Sequence, residues 1–312
     1  MSQHNTPTSS DLYVESGSFL VGKFTGVSRY NRGILDAVML QNNSPRITLG
    51  LFSGDKLDKK YKALRKGVYT SFPVFRRVWF NLRRYVNMPV KNIVRSSKNS
   101  VMWYPDFTML PTQKNATSVV TIHDLSYVHY PETISTRNLS YLQKFVPAAV
   151  HDADHIITPS IATKRDIIKN YKVDESKITV VYPAVDTPPE ANIEVLSDFG
   201  IKKREYVLYV GSIEPRKNLV RLLKAFSKVR STRPQSLVLV GGGGWNNAKI
   251  LAEIERLRSE GHTIHTLGYV DNKQLSSLYE YASCFVFPSI YEGFGIPILE
   301  ALSHHTPVVT GD

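Results

Sequence analysis

Two periodicities alternate along this chain. Short runs rich in apolar residues recur at 11–15, 47–52, 101–104, 119–122, 156–158 and 178–181, and again at 206–210, 237–240, 264–267 and 284–287. They read as strands, and the nearly unbroken YVLYV of 206–210 is what a strand covered by helices on both faces requires. Between them, apolar positions recur at steps of three and four. Val27, Tyr30, Ile34, Leu35 and Val38 form one such stripe, on a helix that opens at Gly26 and runs towards Gln41. Further helices are predicted over 137–151, 161–170, 219–229 and 274–281, with Ser160 placed to cap the second of these and Asn218 the third. Strand followed by helix, in two successive series, predicts an α/β protein of two doubly wound, Rossmann-like domains facing each other across a cleft.

A joint separates the two series. Pro183, Pro188 and Pro189, with small and acidic residues up to Ser197, interrupt both patterns and read as a linker. The expected division is an N-terminal domain over 1–184, a linker over 185–196 and a C-terminal domain over 197–312. Because Thr310-Gly311-Asp312 follows directly on an apolar stretch, the second domain is expected to be cut short at its C-terminal end.

Composition adds a compartment and a charge. With 312 residues, 42% hydrophobic and 21% charged, the chain has the make-up of a soluble globular protein. No apolar run approaches the length of a membrane span, and the opening MSQHNTPTSS lacks the apolar centre of a secretory signal. A single cysteine, Cys284, excludes an internal disulfide framework and reads as a core residue, so a cytoplasmic location is expected. The net charge of +12 is concentrated: residues 56–98 carry thirteen Lys/Arg against one acid, Asp58, and the rest of the chain is balanced. Within that segment Phe72, Phe75, Trp79, Leu82 and Val86 recur at helical steps, with Arg76, Arg77, Arg83 and Arg84 between them. The pattern suits a helix lying on an anionic membrane surface, which would make the protein peripheral on the inner face, and equally a core-facing helix with solvated arginines. No recognisable nucleic-acid module accompanies the charge, and no nucleic-acid partner is expected.

Candidate chemistry lies where predicted strands end. Glu292 and Glu300, separated by seven residues, flank a glycine-rich turn and the start of a helix opening at Ile296. Gly293 and Gly295 leave backbone N–H groups there to meet sugar hydroxyls or phosphate. Arg216 and Lys217 follow the strand 206–210 and Gly211; a planar fork beside a point charge suits a diphosphate, although two loop cations also suit plain solvation. Gly26 and Arg29 stand at the first strand-to-helix turn, and His123 and Asp124 follow the strand 119–122 on the edge where open α/β sheets bind ligands. Gly241-Gly242-Gly243-Gly244 lacks the Gly-Lys-Ser/Thr of a nucleotide-triphosphate loop and reads as a sharp turn. His129, His151 and His155 have no partners at metal-ligand spacing, so no metal is expected.

These segments resemble one family. YEGFGIPILEAL followed by Thr306-Pro307-Val308-Val309 is similar to the donor-site signature of the retaining glycosyltransferases called family 4. GSIEPRKNL with LLKAF resembles that family's phosphate-binding segment, VVTIHDLSYVHYPE its histidine segment, and Gly26-Val27-Ser28-Arg29-Tyr30 its first strand–helix junction. The resemblance spans 19–312 and is weakest over 56–98. It implies the GT-B fold and transfer of a sugar, with mannose a candidate, from a GDP- or UDP-linked donor to a lipid-linked or polysaccharide acceptor, with no cofactor.

It also implies roles. Glu300 would hold the ribose hydroxyls; Glu292, Gly293, Phe294, Gly295 and Ile296 the sugar; Arg216, Lys217, Gly211, Gly26 and Arg29 the diphosphate; and His123 would position the sugar. The backbone of Tyr269 and Val270 would border the base. Two alternatives accompany this reading: a sugar-nucleotide epimerase of the same fold, and a truncated, non-catalytic or partner-completed relative.

Overall fold

The computed structural model describes residues 11–15, 17–19, 25–41, 47–50, 58–64, 100–109, 116–229 and 235–311. The described chain falls into two units, one of residues 1–125 and 141–183, the other of residues 126–140 and 184–312.

The first unit carries a six-stranded sheet, parallel throughout, in the order β2-β1-β3-β4-β5-β6. Its strands are β1 (Leu12–Glu15), β2 (Ile47–Gly50), β3 (Ser100–Tyr104), β4 (Ala116–Thr121), β5 (His155–Thr158) and β6 (Ile178–Val180). Chain order reverses between β1 and β3, which opens a crevice at their carboxyl ends. Helix α1 (Gly26–Met39) starts there, its first turn fastened by the Thr25 hydroxyl accepting from the Ser28 amide. The predicted stripe faces inward: Leu35, Ile34 and Val38 pack with Val14, Phe19, Tyr61 and Trp103.

The second unit carries a five-stranded sheet, again parallel, in the order β11-β10-β7-β8-β9. The strands are β7 (Tyr206–Val210), β8 (Ser236–Val240), β9 (Ile264–Gly268), β10 (Cys284–Phe287) and β11 (Val308–Thr310). Alternation along the central strands explains why they are apolar at nearly every position. Tyr206, Leu208, Val238, Val240, Phe285 and Phe287 point into one core, and Tyr209, Leu237 and Leu239, with Val207 and Val286, into the core on the other face. Each core is roofed by helices, numbered here in chain order. Those of the second unit are α2 (Ser126–His129), α5 (Glu194–Asp198), α6 (Leu219–Phe226), α7 (Ala248–Ser259), α8 (Asn272–Glu280) and α9 (Ile296–Ser303). Helices α6 and α7 cover the second face, through Leu222, Leu223, Ile250 and Ile254 among others. Helices α8 and α9, with Leu196 of α5, cover the first. Among the described residues, α3 (Thr136–Asp152) and α4 (Ile161–Tyr171) follow β4 and β5, and Ser160 caps α4 by accepting from the Thr163 amide.

Two local expectations are corrected. Asn218 does not cap α6 with its side chain; its backbone is left-handed at φ 58° and its side-chain amide donates instead to the Pro288 carbonyl at 3.1 Å. The stretch read as linker up to 196 runs into α5, because Leu196 is buried in the second unit's core and its neighbours coil around it. No helix among the described residues is long and apolar enough to cross a membrane.

Candidate functional site

The reversal of chain order in the five-stranded sheet lies between β7 and β10, so the loops leaving these two strands emerge side by side. The loop after β7 runs through Gly211 to a 3-10 turn at Pro215–Lys217; the loop after β10 runs through Pro288 to Gly295 and into α9. They are stitched by backbone and side chain alike. The Ile290 amide donates to the Arg216 carbonyl at 2.9 Å, and the Arg216 guanidinium donates to the Tyr291 carbonyl at 2.9 Å.

Four charges meet at this seam. Lys217 Nζ donates to Glu292 Oε1 at 2.5 Å, and Arg216 donates to Glu292 Oε2 at 2.8 Å and to Glu214 Oε1 at 3.1 Å. Two cations and two carboxylates balance, and all four side chains are largely withdrawn from water. Burial alone would raise the Glu292 carboxyl, but the charges of Lys217 and Arg216 outweigh it and hold the group below the usual carboxylate range. The Lys217 ammonium also lies 5.3 Å from the centre of the Phe287 ring. A neutral, hydrogen-bonded cluster is a tolerable way to bury cations.

Glycines let these loops approach. A Cβ on Gly241, at φ 133°, would lie 2.2 Å from the Gly211 carbonyl oxygen, and one on Gly244 would lie 2.9 Å from Glu214 Cβ. The Ile213 amide donates to the Gly242 carbonyl and the Gly244 amide returns a bond to the Ile213 carbonyl, extending the β7–β8 pairing past the strand ends. Gly241 and Gly244 are therefore the positions where this run packs closely against the loop after β7. Tyr269 lies over Gly242, where a Cβ would come within 2.5 Å of its ring, and is 79% exposed; Val270 packs against the core. Gly295 precedes α9 at φ 101°, and a Cβ there would press on Ile298 at 3.2 Å. Gly293 is buried beside Glu292, and Phe294 is half-buried.

Glu300 stands on α9 and accepts from the Tyr279 hydroxyl at 2.9 Å. Residues 126–140, which begin inside the histidine segment just after Leu125, group with this unit: the Trp245 indole donates to the Thr133 carbonyl at 2.6 Å, and the rings of His129 and Tyr130 lie 5.3 and 5.8 Å from that of Tyr291.

Three expected residues belong to the first unit. Gly26 opens α1, and no described atom lies within 4 Å of where its Cβ would sit. Arg29 is half-buried in the first turn. His123 is buried just past β4, with Nε2 2.7 Å from the Pro105 carbonyl oxygen and its ring set against Tyr30 and Phe107. A carbonyl only accepts, so Nε2 carries the proton and Nδ1 is the unprotonated nitrogen. Burial, outweighing Asp106 and Asp124, lowers this imidazole below its ordinary value and keeps it neutral. Asn31 donates to the same Pro105 carbonyl at 2.9 Å and to Ser18.

Sequence reasoning passed over Glu214, Asn31 and Tyr279. Glu214 stood inside the phosphate-segment resemblance and was legible as a counter-charge to Arg216. Nothing in the chain pairs Tyr279 with Glu300 before the fold brings α8 to α9. The basic segment 56–98 lies outside the described residues except at 58–64, where Asp58 pairs with Arg32, Lys60 with Asp36, and Tyr61 joins the core.

Family comparison matches residues 194–312 to the glycosyl transferases group 1 and residues 46–188 to glycosyltransferase family 4. The chain belongs to the family 4, group 1 glycosyltransferases. The chain is 35% identical over 223 residues to the O-antigen chain mannosyltransferase B of Escherichia coli, covering 69% of the chain and 58% of that protein. It is 29% identical over 238 residues to the O-antigen chain mannosyltransferase RfbU of Salmonella typhimurium, covering 75% of the chain and 60% of that protein. The chain thus spans 58% and 60% of the length of these curated relatives. The sucrose-phosphate synthase of Thermosynechococcus elongatus shares the fold, with a TM-score of 0.63 at 19% identity over 96% of this chain and 81% of that one. The GT-B architecture expected from the sequence is the one observed.

Proposed function

We propose that this glycosyltransferase transfers a sugar, mannose in the leading case, from a nucleotide diphosphate donor to a hydroxyl of a lipid-linked or polysaccharide acceptor, with retention at the anomeric carbon. The observation that carries the reading is the seam between β7 and β10, where Arg216 and Lys217 converge on Glu292 at the edge used by ligands of open α/β sheets.

In this reading the bond between the anomeric carbon and the diphosphate oxygen breaks as a bond to the acceptor oxygen forms, and the acceptor's proton passes to the departing phosphate. Negative charge grows on the diphosphate, and Arg216 and Lys217 stabilise it from positions already fixed before the reaction. Glu292, released from part of its pairing, takes the sugar hydroxyls together with the amides of Gly293 to Ile296. Glu300 takes the ribose, and the backbone of Tyr269 and Val270 borders the base. In the first unit, Gly26 and Arg29 are assigned to the donor phosphates and His123, neutral and with a fixed tautomer, to the sugar. The side chains supply the charge neutralisation without a cofactor.

The two O-antigen mannosyltransferases favour a cell-surface polysaccharide intermediate as acceptor. The basic segment 56–98 favours a peripheral position on an anionic inner membrane face. The test is product analysis after incubation with GDP-mannose or UDP-sugars and a lipid-diphosphate-linked glycan. A retained α-linkage from one donor class supports the reading; inversion, or donor epimerisation without transfer, overturns it. Binding to anionic vesicles at low salt checks the membrane component.

A further inference from the structure

Tyr279 lies in the last turn of α8 and is buried to 1% exposure. Its ring is held on two sides: Phe285 meets it edge-on at 5.4 Å, and His304 stacks on it at 5.5 Å with the planes 13° apart. Its backbone is held as well, the Thr306 hydroxyl donating to the Tyr279 carbonyl at 2.6 Å. The outlet from this cage is the phenol hydroxyl, which donates to Glu300 Oε2 at 2.9 Å.

Glu300 has the opposite character. It is a half-buried, rotamer-rich side chain on the short helix α9, and an unrestrained glutamate there would have to be ordered when a ligand arrives. A buried hydroxyl on a ring that cannot turn removes that freedom in advance, and a hydrogen bond to a charged acceptor is among the stronger kinds.

We infer that Tyr279 is a positioning residue that orients the Glu300 carboxylate for a nucleotide ribose, so that the discrimination between ribose and a sugar lacking its 2′- and 3′-hydroxyls depends on the Tyr279 hydroxyl. The inference rests on the assignment of Glu300 to the ribose made above. The phenol touches no ligand itself; it acts through Glu300.

The experiment is calorimetric titration of the chain with UDP and GDP and with their 2′,3′-dideoxy counterparts. Wild type is expected to prefer the ribonucleotide by about tenfold or more. Tyr279→Phe, which keeps the ring and its stack, is expected to lose most of that preference by weakening the ribonucleotide while leaving dideoxynucleotide affinity unchanged. In a Glu300→Gln background the same change is expected to have little further effect, since the two residues act as one unit. Thermal unfolding checks that each variant is folded, and Tyr279→Met, a second apolar filler without the hydroxyl, is expected to repeat the result. A Tyr279→Phe protein that keeps the full preference, or that weakens both nucleotides alike, overturns the positioning role while leaving the ribose assignment intact. A wild type with no preference overturns the ribose assignment and the inference with it.

Discussion

Lys217 Nζ lies 2.5 Å from Glu292 Oε1, while Arg216 reaches the other oxygen of the same carboxylate at 2.8 Å. One acid thus occupies both cations that the loop after β7 offers to a diphosphate. The carboxylate is a resident counter-ion that makes burial of the cations tolerable, and in the proposed reading an arriving phosphate shares or replaces it.

That relationship gives the first prediction. Glu292→Gln should lower the stability of the ligand-free protein by about 2 kcal/mol, because two half-buried cations lose part of their compensation. The same change should tighten binding of UDP or GDP, which carry no sugar, by about threefold or more. Transfer should still fall by about a hundredfold through loss of the sugar contact. Calorimetry on the bare diphosphates separates these effects; unchanged or weaker binding would show that Glu292 does not compete for the cations.

The glycine run makes a sharper structural prediction. A Cβ on Gly241 would meet the Gly211 carbonyl oxygen at 2.2 Å on a left-handed backbone, whereas one on Gly243 would meet its nearest neighbour, Asn247, at 3.4 Å. Gly241→Ala should therefore cost about 3 kcal/mol and Gly243→Ala less than about 1 kcal/mol. Urea unfolding of the two variants reads the difference. Equal costs would mean that the run is not a packing surface.

Histidine burial sets a pH dependence. His123 and His304 are both lowered from the ordinary 6.5 by burial, against the opposing influence of Asp106 and Asp124 on the first and Glu280 on the second. The unfolded chain then takes up protons that the folded chain refuses. Stability is fully present above about pH 6.5 and declines as pH falls from there through the depressed folded-state values. Glu292, also depressed, adds a further loss in the carboxylate range. The urea midpoint should drop between about pH 7.5 and 5.5, and His304→Asn should flatten that drop. A midpoint that rises on acidification would contradict the burial argument.

Much of this was legible in the chain because it follows from local rules. Strands such as β7 and β10 are apolar at successive positions because both faces of their sheet are covered, and the paired glutamates around a glycine turn announce a strand–loop–helix edge. What the chain concealed depends on distant partners. Asn218 carries a capping side chain, yet the loop after β10 offers the Pro288 carbonyl and wins it. Tyr279 carries no signal in the sequence, and only the packing of α9 on α8 brings its hydroxyl within 2.9 Å of Glu300. Leu196 reads as linker because nothing nearby shows the core that buries it. The four glycines carry a motif's appearance, yet only Gly241 and Gly244 answer to the close approach of the neighbouring loop.

The central claim is that the cations on the seam between β7 and β10 receive the donor's diphosphate. Its most direct test is calorimetric titration of UDP and GDP into the wild-type chain and into Lys217→Ala across a range of salt concentrations. The account predicts that at least one diphosphate binds wild type, and that Lys217→Ala weakens it by about tenfold or more with a shallower salt dependence. Equal affinity in the two proteins, or no binding of either nucleotide to wild type, would contradict it.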